Sequence, residues 1–295
     1  MSVSVLGRRA DPASLVEGEY SFTSEDFQAI AALIYEQSGI SLTETKASLV
    51  YSRLAKRLRK LGLTTFAEYC ALIDSPEGET ERGAMLNALT TNVTRFYREP
   101  HHFVHLRDEV LRPAIPFLKA GGRMRLWSAA CSSGQEPYSM ALTLLSVLPD
   151  AQQFDIKILA TDIDSRILEQ ARTGVYPDDL VSPIPAAQRD RWMRRDPNDR
   201  HAWVMGEEVR SLVTFKELNL IGDWPVRGPF DAIFCRNVMI YFDDPTQEKI
   251  CGRFSPLLAP GGRLYIGHSE RVSTRVSSLV SDGLTVYRRT EGRRP

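Results

Sequence analysis

Four short segments carry the polar residues best placed for chemistry. The first follows the apolar run Met124–Ala130 and reads Cys131-Ser132-Ser133-Gly134-Gln135-Glu136. A turn with one glycine is neither G-x-G-x-x-G nor a P-loop, which needs Gly-Lys-Ser/Thr, so a phosphate-bearing ligand is disfavoured. Small residues followed by Glu136 suit a ligand that is positively charged and carries no phosphate. The second segment, Thr161-Asp162-Ile163-Asp164, closes the next apolar run. An acid about 20–30 residues after the first turn can accept both hydrogens of a ribose diol. Asp164 reads as the cap of the helix that follows. The third segment is Arg236-Asn237 after the run Phe230–Cys235, and the fourth is Gly267-His268-Ser269-Glu270. No Ser-His-Asp-like set is visible. The four cysteines form no C-x-x-C pair and have no histidine at metal spacing, so free thiols and no metal are expected.

These segments need elements to hold them. Residues 1–18 lack periodicity and read as a mobile lead-in. Thr23 and Asp26 form a capping box opening a helix with Phe27, Ile30, Leu33 and Ile34 on one face, stopped at Gly39. Ser41 and Glu44 read as a second capping box, for a helix to about Lys60 that Gly62 ends. Phe66–Ile73 and Arg82–Thr91 read as further helices, giving a helical docking unit over 19–95. From Met124 the pattern alternates strand and helix: strands Met124–Ala130, Ile156–Thr161, Val213–Leu218, Phe230–Cys235 and Arg263–Gly267, with helices between. That argues for a parallel, doubly wound α/β sheet over 96–290. Asp282-Gly283 marks a terminal antiparallel hairpin. Residues 176–211, with four prolines and two tryptophans, are too long for an ordinary connection and form an insertion: a lid, a docking subdomain or a solvated loop.

Adenosine with a cation and no phosphate describes S-adenosylmethionine. The stretch Leu257-Leu258-Ala259-Pro260-Gly261-Gly262-Arg263-Leu264 is similar to the late helix-to-strand turn of class I methyltransferases. Four segments together resemble the CheR family, bacterial methyltransferases that esterify glutamates on chemotaxis receptors. They are LTTNVTRFYRE at 89–99, WSAACSSGQEPYSMA at 127–141, FDAIFCRNVMIYFD at 230–243 and PGGRLYIGHSE at 260–270. The similarity runs from about residue 23 to residue 289. It implies a class I methyltransferase-like doubly wound sheet, a small inserted β-subdomain and an N-terminal helical domain. By motif position it implies Asn92, Thr94 and Arg98 on a segment entering the cofactor pocket. It further implies Glu136 at the methionine end of the cofactor, Asp162 at its ribose, Asn219 and Leu220 beside its adenine, and Arg236 and Asn237 toward the reacting end. Arg98 and Tyr241 are the catalytic candidates on the substrate side. The first turn departs from the family at Cys131 and Gln135, where a small residue and Glu are more common.

A glutamate carboxylate is already ionised near neutrality, with a pKa of about 4.3, so its methylation needs no strong general base. It needs alignment and exclusion of water. Arg98 can hold a carboxylate as a fork, and Tyr241 can donate one hydrogen bond while its ring excludes water. The bland readings are a surface pair of Arg98 with Glu99, a core position for Tyr241, and a structural role for His268. Cys131 and Cys235 read as small buried residues.

Residues 46–60 carry Lys46, Arg53, Lys56, Arg57, Arg59 and Lys60 without an acid. Arg53, Lys56, Arg57, Arg59 and Lys60 are the candidate docking face for acidic methylation helices of the receptor, against a plain solvated face. The chain carries 37 basic and 37 acidic residues, which argues against a nucleic-acid partner. No apolar run reaches the roughly 18–20 residues of a membrane helix, and no signal peptide is visible. The expectation is a cytoplasmic monomer that acts on the cytoplasmic domain of chemoreceptors, uses S-adenosylmethionine and yields S-adenosylhomocysteine. Two rivals stand beside it. One is a methyltransferase of another substrate class, although Asn237 is followed by Val238-Met239 rather than the Pro-Pro-aromatic run suited to exocyclic amines. The other is a non-enzymatic cofactor-binding signalling module.

Overall fold

The computed structural model describes residues 14–90 and 92–290. The chain divides into two compact units, residues 1–90 and 91–295.

Among its described residues the first unit holds four α-helices: α1 (Ser24–Ser38), α2 (Ala47–Leu61), α3 (Phe66–Asp74) and α4 (Glu79–Leu89). Thr23 and Asp26 form the capping box at α1, and Gly39 ends the helix in the left-handed conformation. The box read at Ser41 and Glu44 does not form. Glu44 opens a separate 3-10 turn, Glu44–Lys46, whose N-cap residue is Thr43. Its carboxylate is taken by the Ser24 hydroxyl at 2.8 Å, so α2 starts only at Ala47. Phe22 packs against Phe27, Tyr51 and Phe66 to form an aromatic core. Of the N-terminal lead-in, residues 1–13 lie outside the described residues. The Phe22 amide donates to the Ser14 hydroxyl at 3.1 Å, and the Leu15 amide to the Phe22 carbonyl at 2.7 Å.

The second unit opens with α5 (Pro100–His105), which runs through a π-helical turn, Leu106–Leu111, into α6 (Arg112–Lys119). Pro113 and Pro116 interrupt the helical pattern of this stretch in the sequence, yet both are accommodated in α6. Then follow β1 (Arg123–Ala129), α7 (Gln135–Val147), β2 (Asp155–Asp162) and α8 (Ser165–Thr173). The inserted part comprises β3 (Val175–Pro177), α9 (Asp178–Val181), α10 (Ala186–Trp192), β4 (Met193–Arg195) and β5 (Ala202–Met205). The chain continues with α11 (Glu207–Arg210), β6 (Val213–Glu217), β7 (Phe230–Cys235), α12 (Asp244–Leu257), β8 (Leu258–Tyr265), β9 (Leu279–Ser281) and β10 (Val286–Arg289).

Seven strands form one sheet in the order β6-β2-β1-β7-β8-β10-β9. The first five are parallel, and β10 runs antiparallel to both β8 and β9, which closes the sheet with the hairpin read at Asp282-Gly283. The last four residues of β1 and of β7 are buried, as expected for parallel strands covered on both faces. Strand order reverses between β1 and β7, the position where open α/β sheets leave a crevice. Register makes that crevice usable: Ala129 pairs with both Thr161 and Cys235. Residues 130–136, 162–164 and 236–237 therefore leave the sheet along one edge. The insertion is a three-stranded antiparallel sheet, ordered β3-β5-β4. Trp203 of β5 lies under the guanidinium of Arg195 at 4.2 Å. Tyr97 donates to the Gln188 side chain of α10 at 2.5 Å.

Candidate active site

The turn after β1 approaches any ligand with its backbone. Ala130, Ser132 and Gly134 have φ of 64°, 50° and 91°, all left-handed. At Gly134 an added Cβ would meet the Tyr176 hydroxyl oxygen at 2.9 Å. Tyr176, from the inserted sheet, donates to the Ser133 carbonyl at 2.7 Å and so fixes the turn from behind. Asp162 sits across from it. One of its oxygens accepts from the Ser132 amide at 2.8 Å and the other from the Asp164 amide at 3.0 Å. Burial pushes its carboxyl above the ordinary range. The carboxylate, approached by the Ile163 amide as well, still has acceptor capacity of the kind a ribose hydroxyl needs. Asp164 is the helix cap, accepting from Arg166 and Ile167 of α8.

Arg236, after β7, is the electrostatic centre. Its side chain is 1% exposed and lies between two carboxylates, Glu136 at 3.0 Å and Glu99 at 3.3 Å. It also donates to the Arg98 carbonyl and sits over the rings of Phe103 and Phe234. Glu136, at the start of α7, accepts from Ser128 at 2.7 Å as well. Burial raises its carboxyl, and Arg236 and the two hydrogen bonds oppose that shift. Glu99 behaves oppositely. Burial would raise it, but Arg236, His268 and His102 together hold it down at about 2.

The segment 92–99 is built into this cluster. Asn92 donates through its side chain to Asp164 at 3.0 Å, and its carbonyl accepts from Ser132 at 3.2 Å. The Tyr97 amide donates to the Ser139 hydroxyl of α7 at 3.0 Å. Thr94 is half-buried in the same stretch. The Arg98 side chain donates to the Val93 carbonyl at 3.0 Å and is not paired with Glu99, whose carboxylate faces Arg236 and His268. Tyr241, half-buried, ends the 3-10 turn Met239–Tyr241 that follows Asn237, so the core reading does not apply to it. Asn219 and Leu220 follow β6. The Asn219 side-chain oxygen accepts from Ile221 at 3.1 Å, and the Leu220 carbonyl accepts from Trp224 and Arg253, both at 3.1 Å.

The basic residues of α2 do not form one free face. Arg53 donates to the carbonyls of Ala88, Leu89 and Thr90 at the end of α4. Arg57 pairs at 2.5 Å with Glu81, a buried acid that also accepts from Tyr69. Arg59 pairs with Glu19 at 2.8 Å. Lys56 and Lys60 are exposed. Arg53 and Arg57 thus both have partners inside the helical unit, while Lys56 and Lys60 have none of these contacts.

Sequence reasoning missed Glu99 and Glu270. Glu99 has φ of 57° and gathers Arg236, Asn237 and His268 around one carboxylate. Glu270, 3% exposed, accepts from the backbone amides of Asn237 at 3.0 Å, Gly267 at 2.5 Å and Ile240 at 3.4 Å, and so ties the loops after β7 and β8 together. Neither residue type nor spacing marks such a role; only tertiary contact does. Glu99, His101 and His102 bring ligand-type atoms within 4.8 Å of one another, but the guanidinium of Arg236 already occupies the cationic place beside Glu99. His102 is pushed down to about 3, by burial first and then by Arg236, and stays neutral.

Residues 92–286 match the family model for the CheR methyltransferase S-adenosylmethionine-binding domain, and residues 25–90 match that for the CheR methyltransferase all-alpha domain. The chain belongs to the CheR methyltransferase family. Within this family it is 53% identical over 260 residues to a probable chemotaxis protein methyltransferase of Rhizobium etli, covering 88% of this chain and 97% of the relative. It is 47% identical to chemotaxis protein methyltransferase 2 of Pseudomonas aeruginosa, with 91% and 94% covered. To the chemotaxis protein methyltransferase of Escherichia coli it is 44% identical, with 88% and 89% covered. The CheR chain uses S-adenosylmethionine as its cofactor. The residues present fit that group. The turn needs no phosphate and Asp162 keeps acceptor capacity. The buried Nε of Arg236 has no hydrogen-bond partner among the described residues, which suits a carboxylate such as that of the cofactor's methionine.

Proposed function

We propose that this CheR chain transfers the methyl group of S-adenosylmethionine to side-chain carboxylates of glutamates on the cytoplasmic domain of chemoreceptors, yielding glutamate methyl esters and S-adenosylhomocysteine. Its relatives are chemotaxis protein methyltransferases. The observation that carries the finer reading is the anchoring of segment 92–99: Asn92, Tyr97 and the Arg98 carbonyl bond to the elements around Asp162 and Arg236, which keeps the Arg98 side chain beside the cofactor residues. The cofactor supplies an electrophilic methyl on a sulfonium. Arg98 receives the target carboxylate, Tyr241 supplies a hydrogen bond and a water-excluding ring, and no base is asked for. In this reading residues 19–95 dock the receptor, with Lys56, Lys60 and Arg59 as exposed cations. The enzyme works as a cytoplasmic monomer. Among the described residues no helix is long and apolar enough to cross a membrane.

The test is to incubate the enzyme with S-adenosylmethionine and a purified receptor cytoplasmic domain, then map the product by mass spectrometry. Methyl groups on glutamate side chains are expected. Methylation confined to lysine, or to nucleic acid offered in competition, would contradict the reading.

A further inference from the structure

The loops after β7 and β8 meet on a buried acid that the proposed reaction does not use. Glu270 is 3% exposed and accepts from three backbone amides. Asn237, at 3.0 Å, and Gly267 share one of its oxygens, and Ile240 reaches the other at 3.4 Å. The neighbouring Arg271 donates to the carbonyls of His268 and Glu270, which leaves the carboxylate to the amides. Burying a carboxylate without a cation is costly, and charge-assisted bonds from amides offset that cost. An ionised carboxylate suits the place because it accepts on both oxygens and brings no donor of its own.

We infer that Glu270 is a positioning residue for methyl transfer, which sets the Tyr241 hydroxyl at the reacting end of the site. The inference rests on the substrate-side role proposed for Tyr241.

The stretch 237–241 shows what the carboxylate adds. Asn237 opens it in the left-handed region, with φ of 59°. A 3-10 turn follows, in which the Tyr241 amide donates to the Val238 carbonyl at 3.1 Å and the Phe242 amide to the Met239 carbonyl at 3.0 Å. Met239 and Phe242 are buried and hold the two ends of the turn by packing. Between them Ile240 is 53% exposed and Tyr241 is half-buried. Ile240 also borders a groove of about 600 Å³, shared with Gln247 and Val272, so packing leaves this part of the turn room to shift. The bond from the Ile240 amide to Glu270 closes that freedom one residue before Tyr241. The Asn237 amide fixes the start of the stretch on the same carboxylate, and Gly267 ties both to the loop after β8. Glu270 is enclosed by the two loops, so it acts through the backbone that carries Tyr241.

The test is Glu270→Gln, alone and combined with Tyr241→Phe, in methyl transfer from labelled S-adenosylmethionine to a purified receptor cytoplasmic domain. Glutamine keeps the shape, but its nitrogen only donates. With its oxygen on Asn237 and Gly267, it leaves the Ile240 amide facing a second donor. The kcat of Glu270→Gln should fall at least about tenfold, since a misplacement of about 1 Å can cost about a hundredfold. Its calorimetric Kd for S-adenosylhomocysteine should change less than about threefold, because the cofactor side stays in place. In the Tyr241→Phe background no hydroxyl is left to place, and the same substitution should lower kcat less than about threefold. An equal fall in both backgrounds, an unchanged kcat, or a loss of S-adenosylhomocysteine affinity that matches the loss of kcat would overturn the inference and leave Glu270 a structural tie. Glu270→Asp keeps the charge and shortens the reach; it should give the same pattern and is judged by the same outcomes if Glu270→Gln does not fold. If Tyr241→Phe alone transferred at the wild-type rate, the reading of Tyr241 would fall, and the inference with it.

Discussion

Arg236→Met tests the buried charge line most sharply. The substitution keeps an unbranched side chain of similar reach and removes the guanidinium from between Glu99 and Glu136. Both carboxylates are then buried without a cation. Breaking a buried pair by removing one partner costs about 3–5 kcal/mol. For a chain of this size about 2–4 °C is lost per kcal/mol, so the melting temperature should fall by roughly 6–20 °C. The dependence on pH carries the diagnosis. In the wild type Glu99 is held at about 2, below the unfolded value of about 4.3. Its ionised form therefore contributes stability that is present above about pH 4.3 and lost as pH falls toward 2. Without Arg236, burial is the main influence on both acids, and their folded pKa values rise above the unfolded ones. The penalty in the variant is then full at high pH and relieved as pH falls. Differential scanning calorimetry should show the gap between wild type and variant shrinking from about pH 8 to about pH 5. A gap of the same size at both values, or one under about 1 kcal/mol, would refute the reasoning.

Three further outcomes are expected. Arg98→Ala should abolish methyl transfer while calorimetric cofactor affinity changes much less; near-normal turnover would remove Arg98 from the substrate side. Lys56→Glu with Lys60→Glu should raise KM for receptor and weaken the salt dependence of transfer, because exposed charges are screened over roughly 8–10 Å at physiological ionic strength; unchanged receptor kinetics at low salt would count against the docking face. Gly267→Ala should cut transfer at least about tenfold with the fold retained, since the new Cβ would meet the Asn237 side-chain nitrogen at 2.5 Å and Glu270 at 2.8 Å, and so displace the loop after β7; wild-type rates would show that the loop accommodates it.

Much of the fold was legible because local signals and tertiary packing agree. Runs such as Ala232–Cys235 are apolar because the strands are covered on both faces there, and Gly39 and Gly62 end helices where the chain turns left-handed. Asp162 was legible as a strand-end acid distinct from the cap Asp164. The failures have physical causes. Glu44 satisfies a capping pattern but bonds Ser24 of another helix, and Pro113 and Pro116 hide a helix that a π-turn accommodates. The basic run on α2 looked like one face because its partners, Glu81, Glu19 and the end of α4, are remote in sequence. Glu99 and Glu270 escaped for the same reason: one looks like the neighbour of Arg98, the other like the tail of a loop, and only folding brings both to the loops after β7 and β8. Among the described residues, five of the six non-glycine residues with positive φ, Tyr97, Glu99, Ala130, Ser132 and Asn237, lie in the site segments. Strain of this kind concentrates at functional sites and is not written in residue type.

The central claim is carboxyl methylation of a receptor. The direct measurement is transfer from methyl-labelled S-adenosylmethionine to receptor-containing membranes, followed by mild alkali. Release of volatile labelled methanol is the predicted result, because only a methyl ester hydrolyses so readily. Label that stays on the substrate through alkali would place the methyl on nitrogen or another oxygen and contradict the account.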